Sequence, residues 1–161
     1  LVQHMPPVFT KSLATSLDKI CQVRVHEATD LQPAQPNNVY IAPGGRQMKV
    51  VATPQGPVIR LTDDPPVQSC RPSVDYLFDS LVHVFGGHTL SVIMTGMGYD
   101  GAEGCKKLHD LGGPVIAQDE ASCVVFGMPR KPVQEGYADV VAPLTEIAAH
   151  IERIVKRGGA A

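Results

Sequence analysis

A chain of 161 residues that is 43% hydrophobic has enough apolar material for one domain with a sizeable core and too little for two. A formal net charge of −2 with a pI near 6.3 provides no overall attraction to nucleic acid or to an anionic membrane. No apolar run approaches the roughly 20 residues that span a bilayer, so neither membrane insertion nor a signal peptide is expected. Cys21, Cys70, Cys105 and Cys123 contain no Cys-x-x-Cys pair and look buried. Neither a zinc site nor a disulfide framework is signalled, and a cytoplasmic location fits best.

Leu1-Val2-Gln3 reads as the end of an apolar strand, and with no initiating Met the chain is expected to be a fragment cut inside an element. His4-Met5-Pro6-Pro7 stops that strand, after which Val8, Leu13, Leu17 and Ile20 recur at helical spacing. Val23 and Val25 mark a short strand. Residues 29–38, rich in Pro, Gln and Asn, form a loop that leads into a second strand over 39–42, ended by Pro43-Gly44-Gly45. Residues 48–52 and 58–61 flank Thr53-Pro-Gln-Gly56, which predicts an antiparallel hairpin. Residues 62–72 lack hydrophobic period and form a long polar connection of the kind that often serves binding. Ser73 is a helix cap, followed by Val74, Leu77, Phe78, Leu81 and Val82 as a buried stripe that Gly86-Gly87 stops.

Val92, Ile93 and Met94 form a short apolar run suited to a buried parallel strand, and Gly96, Gly98 and Gly101 punctuate the turn after it. That turn delivers Asp100 to the start of a helix over 101–111, and its N–H groups suit an anion, either a phosphate or an oxyanion. Beyond it come a strand over 114–117, two short helical pieces over 120–126 and 128–135 broken at Gly127, and a strand over 139–141. A last helix carries Leu144, Ile147, Ile151, Ile154 and Val155 on one face and is closed by Lys156, Arg157 and Gly158-Gly159. The alternation predicts an α/β fold: a doubly wound, mostly parallel sheet with helices on both faces and a small antiparallel hairpin.

Two functions compete for the glycine turn. Gly96-Met-Gly98-Tyr-Asp-Gly101 satisfies a dinucleotide fingerprint, with Asp119 and Glu120 at a distance that suits a ribose hydroxyl, although Asp100 would set a negative charge beside the pyrophosphate. Alternatively, ligands of a parallel sheet bind beyond its strand ends, where His4 and Asp100 both fall. There Asp100 could orient His4 for acyl transfer, and the N–H groups of Met97 and Gly98 could stabilise an oxyanion. Asp100 could equally be the cap of the helix that follows, and Val124, Val125 and Phe126 read as core more readily than as a groove lining. No G-x-S-x-G elbow occurs, so a nucleophile is expected upstream of Leu1. His26, His83, His88, His109 and His150 show no metal-ligand spacing.

Gln3-His-Met-Pro-Pro-x-Phe-Thr10, Tyr40-Ile-Ala-Pro-Gly44, Arg71-Pro-Ser-Val-Asp75, Thr95-Gly-Met-Gly-x-Asp-Gly-Ala102 and Glu120-Ala-Ser-Cys-Val-Val-Phe-Gly-Met-Pro-Arg130 together resemble the catalytic domain of the bacterial chemotaxis receptor protein-glutamate methylesterases. The resemblance covers nearly the whole chain and departs at Cys70, where many relatives are expected to carry histidine. It implies a carboxylic ester hydrolase of the cytoplasm that cleaves methyl esters on receptor glutamates and in many members deamidates receptor glutamines, without metal or cofactor. It further implies His4 as general base, Asp100 as its orienter and the Met97 N–H as oxyanion donor. Residues 1–161 would then be the catalytic domain without its first strand, serine-bearing turn and first helix. The partners would be methylated chemoreceptor helices and an N-terminal receiver domain whose phosphorylation relieves inhibition. Without the serine the 161 residues are expected to be inactive and to act at most as an interaction module.

Overall fold

The computed structural model describes residues 1–158. It contains α1 (Pro7–Asp18), β1 (Arg24–Glu27), β2 (Asn38–Ile41), β3 (Gln47–Thr53), β4 (Gly56–Thr62), α2 (Val74–Phe85), β5 (Ser91–Ile93), α3 (Ala102–Asp110), β6 (Val115–Gln118), α4 (Arg130–Gln134), β7 (Val140–Ala142) and α5 (Leu144–Gly158), with a 3₁₀ turn over Gly86–His88. This is the mixed α/β architecture read from the alternation, with parallel strands and one antiparallel hairpin. The chain divides into two compact units, Leu1–Val84 and the residues from Phe85 onward. No helix among the described residues is long and apolar enough to cross a membrane.

In the first unit β1 and β2 run parallel from Arg24 opposite Asn38 to Glu27 opposite Ile41. Leu1 belongs to no strand, yet its carbonyl accepts from Ala42 N at 2.9 Å and its nitrogen donates to Tyr40 O at 2.6 Å, so it continues the ladder beside β2. α1 lays Ala14, Leu13 and Leu17 against Val25 and Ile41. The predicted apolar face is narrower than its spacing suggests, because Val8 and Ile20 stand exposed. β3 and β4 pair antiparallel from Gln47 opposite Thr62 to Thr53 opposite Gly56. Alternate residues Met48, Ile59 and Leu61 join Leu77 of α2 in one core cluster, the burial that holds a two-stranded hairpin in place. Ser73 caps α2 as its position predicts, its Oγ accepting from Tyr76 N at 3.3 Å.

In the second unit β6 lies between β5 and β7, all parallel. Val115, Ile116 and Ala117 are fully buried, as an apolar strand covered on both faces must be. Ile147, Ile151 and Ile154 of α5 pack on Ile116 and Ala142, while Leu144 and Val155, expected on the same face, are exposed. Gly159, expected to help close α5, lies outside the described residues.

Residues 120–126 are not helical, contrary to the sequence reading. Asp119 Oδ1 accepts from Ser122 N at 2.9 Å and from Ser122 Oγ at 2.6 Å, a local side-chain bond that competes with helix formation. Phe126 then bridges in parallel to Gly96, so this backbone is satisfied by the glycine turn and not by itself. The cysteines differ from expectation too: only Cys105 is buried, Cys21 is exposed, and Cys70 and Cys123 are intermediate.

Candidate active site

The second unit holds the glycine turn. β5 ends at Ile93, and the chain reverses through residues 94–101 before α3 begins. Gly101 adopts φ +95° at the N-cap with no side-chain cap bond, a left-handed conformation that an L side chain would strain. Gly101, one residue after Asp100, occupies the N-cap position of α3. The Asp100 carboxyl is buried, with the residue only 2% exposed, and such a group is held at a cost unless the fold engages it.

Met97 sits in the same turn with its side chain 85% exposed. Beside it lies a groove of about 420 Å³ whose lining includes Met97, Gly98, Val125, Phe126, Arg130 and Glu135. Val124 is 91% exposed and Val125 is 45% exposed, which overturns their reading as core. The Arg130 guanidinium lies 5.9 Å from the centroid of the Phe126 ring, a cation–π placement on the groove wall. Lys131 pairs with Glu103, and that hydrogen bond and charge hold the Glu103 carboxyl below its ordinary range.

The first unit holds His4. The imidazole is exposed and lines a pocket of about 370 Å³ with Met5, Ser69, Cys70 and Arg71 among its other walls. A ring nitrogen of His4 and Cys70 Sγ lie within 4.8 Å of each other, a proximity that their distance in sequence concealed. Gly44 admits the approach of the His4 segment: a Cβ there would lie 2.3 Å from Met5 O. The long polar connection over 62–72, expected to serve binding, supplies the opposite wall.

That wall is fixed by a residue the sequence reading passed over. Gln47 is fully buried. Its Nε2 donates to Pro65 O at 3.1 Å and Cys70 O at 3.2 Å, and its Oε1 accepts from Ser73 N at 2.9 Å. Val67 and Cys70 exchange backbone bonds of 3.1 and 2.8 Å, and Gly45 N donates to Arg71 O at 3.1 Å. The only sequence signal was a glutamine at the opening of a strand.

Of the three predicted site residues, Met97 and Asp100 share one turn of the second unit, and His4 belongs to the first. An exposed imidazole can take and return a proton, and a glycine-lined turn leaves main-chain N–H groups available to an oxyanion. Asp119, read as a ribose ligand in the dinucleotide alternative, uses Oδ1 to hold Ser122.

A mixed α/β fold with a glycine turn at the end of a parallel strand and a pocket lined by His4 is that of an α/β hydrolytic domain, and the chain belongs to the CheB methylesterase family, whose model matches residues 1–151. It is 54% identical over 158 residues to the "Protein-glutamate methylesterase/protein-glutamine glutaminase" of Desulfotalea psychrophila, covering 97% of this chain and 43% of that one. The protein of the same description in Chromohalobacter salexigens is 46% identical over 161 residues, covering 100% of this chain and 46% of that one. The chain thus spans less than half the length of these relatives. Among solved structures, the catalytic domain of the Thermotoga maritima CheB methylesterase superposes with a TM-score of 0.91 at 42% identity, covering 95% of this chain and 81% of that one. The family match favours the esterase resemblance over the dinucleotide fingerprint.

Proposed function

We propose that the protein carrying this chain is a protein-glutamate methylesterase that hydrolyses glutamate methyl esters on chemoreceptor helices and deamidates receptor glutamines. The observation that carries this reading is the match of residues 1–151 to the CheB methylesterase family, with relatives described by both activities. Residues 1–161 act as its catalytic domain without the nucleophile segment. A serine hydroxyl from outside these residues attacks the ester carbonyl while His4 takes its proton, and Asp100 holds the imidazole tautomer and offsets its charge. The Met97 N–H donates to the oxyanion of the tetrahedral intermediate. Collapse expels methanol, which receives the proton from His4. Water, deprotonated by His4, then cleaves the acyl-enzyme to free glutamate and restored serine. With a glutamine substrate the leaving group is ammonia. The exposure of His4 in a pocket and the burial of Asp100 beside the Met97 turn support these roles. The groove beside Met97, with Val125 and Phe126 next to Arg130 and Glu135, supports an amphipathic protein substrate, and a receiver domain is the regulatory partner that the family resemblance implies.

The test is methanol release from methylated receptor by the natural protein that carries this chain. His4→Ala and Asp100→Asn should each lower kcat by roughly a thousandfold or more while leaving the fold intact. Unchanged release by both variants would defeat the mechanism.

A further inference from the structure

We propose that Gln118 and Thr95 are positioning residues for turnover, setting the path of the glycine turn that presents the Met97 N–H; this rests on the esterase reading above. Gln118 ends β6, where Val115, Ile116 and Ala117 precede it, and all four are fully buried. A side-chain amide in such a place is unfavourable unless both of its ends are bonded. Here they are. Oε1 accepts from Thr95 N at 2.9 Å, and Nε2 donates to Ser122 O at 2.9 Å and lies 3.1 Å from Ser122 Oγ. Ser122 is itself anchored, because Oγ donates to Asp119 Oδ1 at 2.6 Å and accepts from Leu144 N at 3.0 Å at the start of α5.

Thr95 completes the bridge from the other side. Its Oγ1 donates to Val125 O at 3.1 Å and accepts from Val125 N at 3.0 Å. Gly96 N donates to the same Val125 carbonyl at 3.1 Å, and Gly96 O accepts from Gly127 N at 3.1 Å and Met128 N at 2.9 Å. Thr95 and Gly96 are thus clamped between the end of β6 and residues 122–128, immediately before Met97. A buried apolar residue at 118 would satisfy packing equally well. What only an amide supplies is a two-ended link from the Thr95 N–H to the Ser122 carbonyl. Oxyanion stabilisation depends on where the donor stands to within roughly half an ångström, so a turn released from this clamp loses rate without losing substrate affinity.

The experiment measures steady-state methanol release by the natural protein carrying this chain, with Gln118→Met, Thr95→Val, Thr95→Ser and His4→Ala compared per folded molecule. Gln118→Met and Thr95→Val should lower kcat about tenfold or more with KM held within about twofold, and Thr95→Ser, which keeps the hydroxyl, should retain wild-type kcat. Thr95 is exposed, so its variants fold even where Gln118→Met does not. The proposal is overturned if Thr95→Val keeps kcat, if its loss appears in KM, or if Thr95→Ser is equally impaired. His4→Ala separates the two levels of failure: an inactive His4→Ala beside a fully active Thr95→Val removes the positioning role alone, whereas an active His4→Ala removes the esterase reading beneath it.

Discussion

Gly127 approaches Gly96 so closely that a Cβ on Gly127 would lie 2.5 Å from the Gly96 carbonyl oxygen and 3.0 Å from Gly98 N. The obstacle is main chain, so it cannot swing aside. Gly127→Ala should therefore cost about 1–3 kcal/mol and depress methanol release, because relief requires moving the turn that carries Met97. A Cβ on Gly96 would instead meet Met128 Sδ at 2.3 Å, the far part of a flexible side chain. Thermal melting should rank Gly127→Ala below Gly96→Ala. The reverse order would show that the loop after β6 yields and that the contact sets nothing.

Gln47 should behave as a structural bridge in the first unit. Gln47→Leu removes a partner from Pro65 O, Cys70 O and Ser73 N at once; Cys70 O keeps its bond from Val67 N and Pro65 is exposed, so the buried Ser73 N–H carries most of the loss. The expected loss is about 1–3 kcal/mol, the penalty for the one buried group left unbonded, Ser73 N–H. Urea denaturation measures it. A loss no larger than that of a surface substitution would mean that the loop over 62–72 is held by other contacts.

Acid should weaken the hairpin through Asp30. Its Oδ1 accepts from Leu61 N at 2.9 Å and Arg60 Nε at 3.0 Å, and these bonds, the Leu61 amide foremost, hold the carboxyl below its ordinary range. A carboxyl that binds its proton less tightly when folded contributes stability above the unfolded value, about 3.9, and loses it as pH falls through the lower folded value. Asp30→Asn keeps an acceptor for Leu61 but does not titrate. The difference in melting temperature between pH 7 and pH 3 should be smaller in the variant than in the wild type; equal differences would remove Asp30 from the acid response.

Thiol reactivity should separate two cysteines that look alike in sequence. Burial pushes the Cys123 thiol up, partly offset by a hydrogen bond with Thr95 and reinforced by the nearby charges of Asp119 and Glu120, whereas Cys21 is exposed. The thiolate is the reactive form, so iodoacetamide at pH 8 should label Cys21 well before Cys123. Peptide mapping by mass spectrometry gives the order, and faster labelling at Cys123 would contradict its environment.

The sequence by itself determined what local pattern and local chemistry can specify. The α2 stripe, the antiparallel hairpin around Thr53 to Gly56, the buried parallel strands and the glycine turn carrying Met97 and Asp100 were all legible, because helix and strand periods and turn residues act within a few positions of each other. The tertiary structure decided what depends on partners distant in the chain. Residues 120–126 forgo a helix because their backbone bonds to Thr95 and Gly96, Val124 stands out in solvent, and Gln47 and Gln118 are buried bridges although their residue type suggests surface. A side-chain amide has the same polarity wherever it sits. Only the packed chain settles whether water or the main chain of a remote loop satisfies it.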